Sequence, residues 1–246
     1  MSNMESWFMK LKNKILSLLL VGIFISAGLS SDALSFKKSD LEKDIKALRQ
    51  DKTLDIETIT QEDIEILKNE YSKVTKELRV LLALDAMKES VGNFSRLAIL
   101  GDNLSGAPIK IEFKDLSQMG QAYAEFDALG WKKKNKLYIY INQKHNDAPP
   151  IALASLLSHE ALHQDEFNSI NEETYAWTME AAVWTQLSEE YPKQAQSNHP
   201  LVVREDMLKK LFIKGNYSDK YIRKTVMSNP GYSNLPSRSP GFEDSL

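Results

Sequence analysis

The chain has 246 residues, of which 42% are hydrophobic and 26% charged, and its net charge is −3. These values are ordinary for a soluble globular protein, and they leave no broad positive field that would favour nucleic acid as a partner. The sequence contains no cysteine, which excludes a disulfide framework, a thiolate metal ligand and a thiol nucleophile. Any metal site must therefore be built from histidine and carboxylate side chains.

The N-terminus has the order of a secretory signal. Lysines between residues 10 and 14 precede an apolar run from Ile15 to Leu29, and small or polar residues follow up to Ala33. Residues 1–33 are therefore predicted to be a signal peptide. The alternative is an uncleaved anchor, although the apolar run is short beside the roughly 20 residues of a membrane span. Both readings predict an exported protein, periplasmic or secreted, with membrane contact only through an uncleaved N-terminal segment.

Residues 34–93 are predicted to form a helical region. A capping box at Ser39–Glu42 marks one helix start, and Thr60 with Asp63 marks a second. Six apolar residues then alternate spacings of three and four: Ile64, Leu67, Tyr71, Val74, Leu78 and Leu81. This heptad seam favours a helix packed on its own domain. Self-association through residues 64–81 is the alternative, and about three heptads are marginal for a stable coiled coil.

Residues 94–192 are expected to contain a catalytic core, and residues 193–246 to follow it as two shorter helices and a tail rich in Pro, Gly and Ser. Alternating apolar residues predict strands at 109–113, 123–126 and 137–141, the last being the strongest, and the basic run at 132–134 suggests a turn. Helices are predicted at about 151–165, from the capping box of Ser169 and Glu172 to Leu187, at 201–212 and at 218–227. The tail from residue 229 onward lacks any period and is predicted to be extended.

The segment His159-Glu160-Ala161-Leu162-His163 is an HExxH motif. Residues four apart share one face of a helix, so both imidazoles can reach a single metal ion. Glu160 lies about 100° around the axis, beside an open coordination position, where it can take a proton from a bound water. The spacing thus predicts two metal ligands and a general base. The alternative is a pair of surface histidines on the flank of a helix.

A catalytic zinc site usually has three protein ligands, so a third must come from elsewhere in the chain. His145 and His199 are possible, but Glu172 and Glu173 are better placed because they begin the next helix after a short turn. Only one of the two can ligate, since adjacent helical residues point about 100° apart. Without a metal, both would be acidic residues favoured in a first helical turn.

This arrangement, covering about residues 107–187, resembles the gluzincin metallopeptidases of the zincin superfamily. In that family a Glu on a following helix, often in a Glu-x-x-Ala pattern, completes a His-His-Glu zinc site. Glu173 with Ala176 matches the pattern, so the resemblance favours Glu173 over Glu172 as third ligand. It also implies that residues 137–141 form the active-site edge strand, which would pair with an extended substrate. Asp165 would be either a carboxylate holding a ligand imidazole or a solvated helix end.

The resemblance implies cleavage of peptide bonds by zinc-activated water, with Glu160 as general base and a further donor to the oxyanion. Candidates for that donor are Tyr175, His145, His199 and Tyr232. The expected fold is α+β, with a small mixed sheet packed on the motif helix and the Glu-bearing helix, plus the N-terminal helical region. The expected function is an exported zinc metallopeptidase acting on peptides or proteins. The alternatives are a catalytically inactive zincin-like binding protein and a helical envelope interaction protein without enzymatic activity.

Overall fold

The computed structural model describes residues 45–46 and 59–239. The predicted signal peptide, the capping box at 39–42 and residues 240–246 of the tail lie outside the described residues. Within the described ranges, no helix combines the length and the apolar character needed to cross a bilayer.

The described residues form eight helices and one three-stranded sheet, which is the mixed α+β architecture that the sequence predicts. The helices are α1 (Gln61–Tyr71), α2 (Leu78–Ala86), α3 (Asn93–Leu100), α4 (Pro150–Glu160), α5 (Ile170–Glu190), α6 (Pro192–Ala195), α7 (Pro200–Lys214) and α8 (Lys220–Ser228). The strands are β1 (Lys110–Lys114), β2 (Ala128–Lys133) and β3 (Lys136–Asn142). In the sheet, β3 lies between β1, to which it is parallel, and β2, to which it is antiparallel.

The strand predicted at residues 123–126 is wrong, and so is the turn predicted at 132–134. Residues 121–123 form a 3-10 turn instead, and the lysines at 132 and 133 belong to β2. The reversal is one step later, at Lys134 and Asn135, whose positive φ values of 50° and 61° suit a tight two-residue hairpin. The lysines at the end of β2 are exposed, and β2 has only one strand partner among the described residues.

The prediction that residues 137–141 form the active-site edge strand is also wrong. β3 is the central strand, paired on both sides. Its alternating sequence fits this position, because Ile139 and Ile141 are buried on one face of the sheet while Tyr138 and Tyr140 stack on the other face with their centroids 5.7 Å apart. The strand that reaches the motif helix is β2, which the sequence pattern did not reveal.

The heptad seam does not form one continuous helix. The capping box at Thr60 and Asp63 is present and starts α1, but the chain leaves the helix after Tyr71 and re-enters it at Leu78. Of the six seam residues all but Leu78 are buried inside the fold of this chain. This burial agrees with the intramolecular packing that the sequence favours, and self-association through the seam stays a prediction.

Helix α4 is the centre of the core, and each of its eleven residues is buried. Pro150 opens it, where a missing amide hydrogen costs nothing and the fixed φ suits a helix. Its side chains contact α2, α5 and the sheet. Because other elements pack around it, the helix is buried on all faces and has no polar face towards solvent. The helix ends at Glu160, about one turn earlier than predicted, and so His163 lies beyond its last helical residue.

Helix α5 carries a second cluster of apolar contacts on the side away from α4. Ala181 packs there against Leu208 and Phe212 of α7 and against Ile222 and Val226 of α8. The two C-terminal helices therefore brace α5, and α5 in turn packs along α4 more extensively than any other helix does.

Truncation of Leu157 to Ala tests the central position of α4. Leu157 is fully buried, so the loss of its side chain is expected to lower the free energy of unfolding by about 3 kcal/mol. Leu104→Ala is the control, because the Leu104 side chain is 65% exposed and its truncation should cost under about 0.5 kcal/mol. Urea unfolding at pH 7 measures both, and equal effects would contradict the burial of α4.

Candidate metal centre

Three side chains converge where the end of α4 meets the start of α5: His159, His163 and Glu173. Each offers one ligand atom, and these atoms lie within 4.8 Å of one another. The Nε2 atom of His159 is 3.7 Å from Glu173 Oε2, and that of His163 is 3.8 Å from Glu173 Oε1. These distances are too long for hydrogen bonds. They are the distances expected between ligand atoms arranged around a single metal ion.

The motif keeps its geometry although the helix has ended. Beyond Glu160 the backbone tightens: Leu162 N donates to His159 O at 3.0 Å and His163 N donates to Glu160 O at 3.3 Å. This 3-10 turn keeps His163 on the same side as His159, with the ring centroids 5.1 Å apart. A tighter turn thus replaces the helical turn between residues i and i+4, and it still places both imidazoles on one side.

A carboxylate from α5 holds the second nitrogen of each imidazole. His159 Nδ1 lies 3.0 Å from Glu180 Oε2, and His163 Nδ1 lies 2.9 Å from Glu172 Oε1. An ionised carboxylate only accepts hydrogen bonds, so each Nδ1 must carry the proton and donate it. In the neutral rings this assigns the lone pair to Nε2, on the side of Glu173. The order of these contacts also shows that α4 and α5 run in opposite directions.

The two acidic candidates for a third ligand take different roles in the structure. Glu172 has both oxygens engaged, one by His163 Nδ1 and the other by Ser239 Oγ at 3.0 Å. Glu173 accepts a hydrogen bond from Asn168 at Oε1, but its Oε2 atom is buried without a hydrogen-bond partner. An unpartnered buried carboxylate oxygen is costly, and this one faces the imidazole of His159.

This donor set fits a divalent metal ion. Two imidazole nitrogens and one carboxylate oxygen are the His₂Glu ligand set of many catalytic zinc sites, in which a fourth position stays open for water. The orphaned Glu173 oxygen is the atom that such an ion would satisfy. The hydrogen bonds on both Nδ1 atoms are the outer support that metal-bound histidines require.

The motif carboxylate, Glu160, is buried at the same place. Burial raises the pKa of Glu160, and Glu173 and Glu180 add to the rise, while the two motif histidines oppose it. Gly130 of β2 lies directly over this corner. A Cβ atom at Gly130 would lie 3.0 Å from the Cβ of His163 and 3.5 Å from Glu160 Oε2. A side chain at this position would crowd the motif, so glycine suits the close approach of β2.

A charge network behind the histidines supports Glu180. Arg204 of α7 contacts both oxygens of Glu180, and also Glu205 and Asp127. Burial opposes ionisation of Glu180, but Arg204 and the hydrogen bond from His159 outweigh it and lower its pKa well below the ordinary value. Burial and the nearby Glu180 carboxylate raise the pKa of Glu205 well above its ordinary value. One arginine thus keeps Glu180 charged in the interior.

The other candidate residues lie apart from the three converging side chains. His145 Nε2 is 2.7 Å from Asp127, and His199 Nε2 is 3.3 Å from Asp147, so neither histidine joins the group. Asp165 accepts a hydrogen bond from the backbone of Phe167 and holds no imidazole. Of the four candidate oxyanion donors, Tyr232 contacts Glu173, and it accepts a hydrogen bond from Trp177 Nε1 at 3.3 Å.

Residues 229–239 form a C-terminal strap over the first turn of α5. The amides of Ile170 and Asn171 donate to the carbonyl oxygens of Pro236 and Ser237 at 2.9 and 3.2 Å. These amides begin a helix and therefore have no partner within it. The tail predicted to be extended begins instead with a 3-10 turn at Pro230–Tyr232. Its later residues cap a helix, and the buried Ser239 reaches Glu172.

Sequence reasoning missed Glu180, Arg204, Asp127, Gly130 and Ser239 as parts of this site. Glu180 had a detectable signal, because it follows Glu173 by seven residues and so shares its helical face. The other four come from distant elements, and no local spacing connects them with the motif.

No protein-family model, curated protein or solved structure matches this chain. The functional assignment therefore depends on the geometry of the site.

Replacement of Asp127 by Asn tests the charge network. Burial opposes ionisation of Asp127, but His145 and Arg204 together lower its pKa below the ordinary value of 3.8. A lowered folded-state pKa stabilises the fold above that ordinary value, and the contribution is lost as the pH falls below it. Asp127→Asn should therefore cost about 2 kcal/mol at pH 7 and progressively less below pH 4. Urea unfolding across this pH range measures the difference, and a constant difference would contradict the network.

Proposed function

We propose that the chain is a zinc-dependent hydrolase, and specifically a metallopeptidase with a gluzincin-like centre. The observation that carries this proposal is the convergence of His159, His163 and Glu173 around a buried carboxylate oxygen without a partner. Most buried carboxylate oxygens have a hydrogen-bond partner, and a bound metal ion would supply the one that Glu173 Oε2 lacks. Glu173, rather than Glu172, is the proposed third ligand because Glu172 is occupied in holding His163.

The three ligands would hold the ion, and Glu180 and Glu172 would orient the two imidazoles. When bound, zinc lowers the pKa of its water and polarises a carbonyl group of the substrate. The hydrogen bonds to Glu180 and Glu172 also increase the basicity of the two imidazoles, which makes the imidazoles stronger metal ligands.

Glu160 is the proposed general base. Its buried position raises its pKa towards the operating range of a group that takes a proton from water and returns it to a leaving amine. A binding protein would have no need of this carboxylate, which is costly to bury. Its presence therefore favours catalysis over the alternative of an inactive zincin-like protein.

Tyr232 is the proposed donor to the developing oxyanion. Burial and the neighbouring Glu173 carboxylate raise the pKa of its hydroxyl, so it keeps its proton at neutral pH. The hydroxyl lies beside a proposed ligand, which is where negative charge would develop. His145 and His199 contact other carboxylates and lack this placement.

A peptide substrate is supported by strand β2. Among the described residues β2 pairs with β3 alone, so its second edge can accept an extended chain. Gly130 of this strand lies against Glu160 and His163. With the predicted signal peptide, these features support an exported enzyme acting on peptides or proteins.

Metal analysis of the purified protein tests the proposed ligands. Wild-type protein should bind about one zinc ion per chain, and His163→Ala and Glu173→Ala should each lose it, because three protein ligands are needed to hold the ion. Elemental analysis after dialysis measures the content. Absence of zinc after reconstitution would contradict the metal centre and favour the non-enzymatic helical protein.

Glu160→Gln separates binding from catalysis. The variant should keep its zinc, since Glu160 is not a proposed ligand, but should lose peptidase activity by at least about 100-fold. Cleavage of a mixed peptide library, analysed by mass spectrometry, provides the activity measurement. Zinc-loaded wild type with no more cleavage than the variant would contradict peptide hydrolysis and support the binding protein.

Zinc binding to the proposed site should release a proton from His163. Burial lowers the pKa of His163, but Glu172 and the other nearby carboxylates outweigh this and raise it to about 9 in the metal-free protein. The imidazole is therefore protonated at pH 7, and zinc binding should release about one proton and strengthen as the pH rises towards 9. Calorimetry in buffers with different ionisation enthalpies measures the release. Identical binding enthalpies in those buffers would refute it.

A further inference from the structure

The C-terminal strap lies beside the proposed metal site, and the proposed reaction gives it no role beyond Tyr232. Three separate contacts fasten it to α5. Tyr232 packs edge-on against Trp177 with ring centroids 6.2 Å apart, the carbonyls of Pro236 and Ser237 cap the first helical turn, and Ser239 reaches Glu172. The strap thus follows α5 back towards its N-terminus.

The last of these contacts leads directly to a proposed ligand. Ser239 is buried, and its hydroxyl donates to Glu172 Oε2 at 3.0 Å. The other oxygen of the same carboxylate, Oε1, accepts from Nδ1 of His163 at 2.9 Å. One carboxylate thus joins the strap to the imidazole whose Nε2 faces Glu173.

A buried carboxylate with a single hydrogen-bond partner can rotate about its terminal torsion, because such sp³–sp² torsions are broad. Bonds at both oxygens remove that freedom, so Ser239 determines the orientation in which Glu172 meets His163. The helix N-terminus contributes little to this orientation, since the Glu172 amide donates instead to Ser169 Oγ.

We propose that Ser239 and Glu172 are positioning residues for His163, and that metal affinity at the site therefore depends on docking of the chain's own C-terminal strap. This inference rests on the proposed metal centre. Because coupling between two binding events is reciprocal, a bound metal must strengthen docking of the strap by the same factor.

Two serines of the strap provide a matched pair of variants. Ser239→Ala removes the hydroxyl that holds Glu172, whereas Ser237→Ala removes an exposed hydroxyl and leaves the backbone carbonyl that caps Asn171. Zinc dissociation constants of the full-length proteins are measured by competition with a chromogenic chelator. Ser239→Ala should bind zinc about 10-fold more weakly than wild type, as expected for a partner behind a ligand, and Ser237→Ala should match wild type.

Hydrogen exchange in the wild-type protein provides the reciprocal test and does not depend on either variant folding. The amides of Ile170 and Asn171 report strap docking directly, because they donate to its carbonyls. Zinc should slow their exchange, and the slowing should be smaller in Ser239→Ala.

The results separate the two proposals. Zinc binding that is equal in Ser239→Ala and Ser237→Ala, or exchange at Ile170 and Asn171 that zinc leaves unchanged, would overturn the role of the strap and leave the metal centre intact. A wild-type protein that binds no zinc would overturn both. Weaker binding confined to Ser239→Ala, with zinc-dependent protection of the two amides, establishes the coupling.

Discussion

The hydrogen bonds from the two motif imidazoles to carboxylates of α5 are the interactions on which the site depends. They assign the tautomer of each ring and direct both Nε2 atoms towards Glu173. They also join α4 to α5 at both ends of the motif. A buried carboxylate is stable in such a position only with several partners, and this requirement explains why Arg204 and Ser239 lie behind Glu180 and Glu172.

These partners tie the site to parts of the fold that lie far from the motif in sequence. Arg204 comes from α7, which packs on α5 through the apolar cluster that includes Leu208 and Phe212. It links Glu180 to Asp127, in the segment that leads into β2. Apolar packing of the C-terminal helices therefore positions the Arg204 guanidinium, and its positive charge keeps Glu180, the carboxylate that orients His159, ionised in the interior.

The sheet supplies none of the three converging side chains, but it places a strand against them. β3 lies at its centre, and the β2 hairpin carries Gly130 over the end of α4. A larger residue there would crowd His163, and this explains a glycine in an otherwise ordinary strand.

The sequence by itself determined the chemistry-bearing motif, the restriction to histidine and carboxylate ligands, and the starts of α1, α4 and α5, because capping residues, proline and i, i+4 spacing act within a few residues. It left open which of Glu172 and Glu173 would lie against the two Nε2 atoms, and it misplaced the edge strand. Those outcomes depend on Ser239, Asn168 and the order of the strands, which meet the motif only in the folded chain. The tertiary structure decided them because burial gives each carboxylate oxygen a definite partner, or leaves it without one, and a local pattern does not record which.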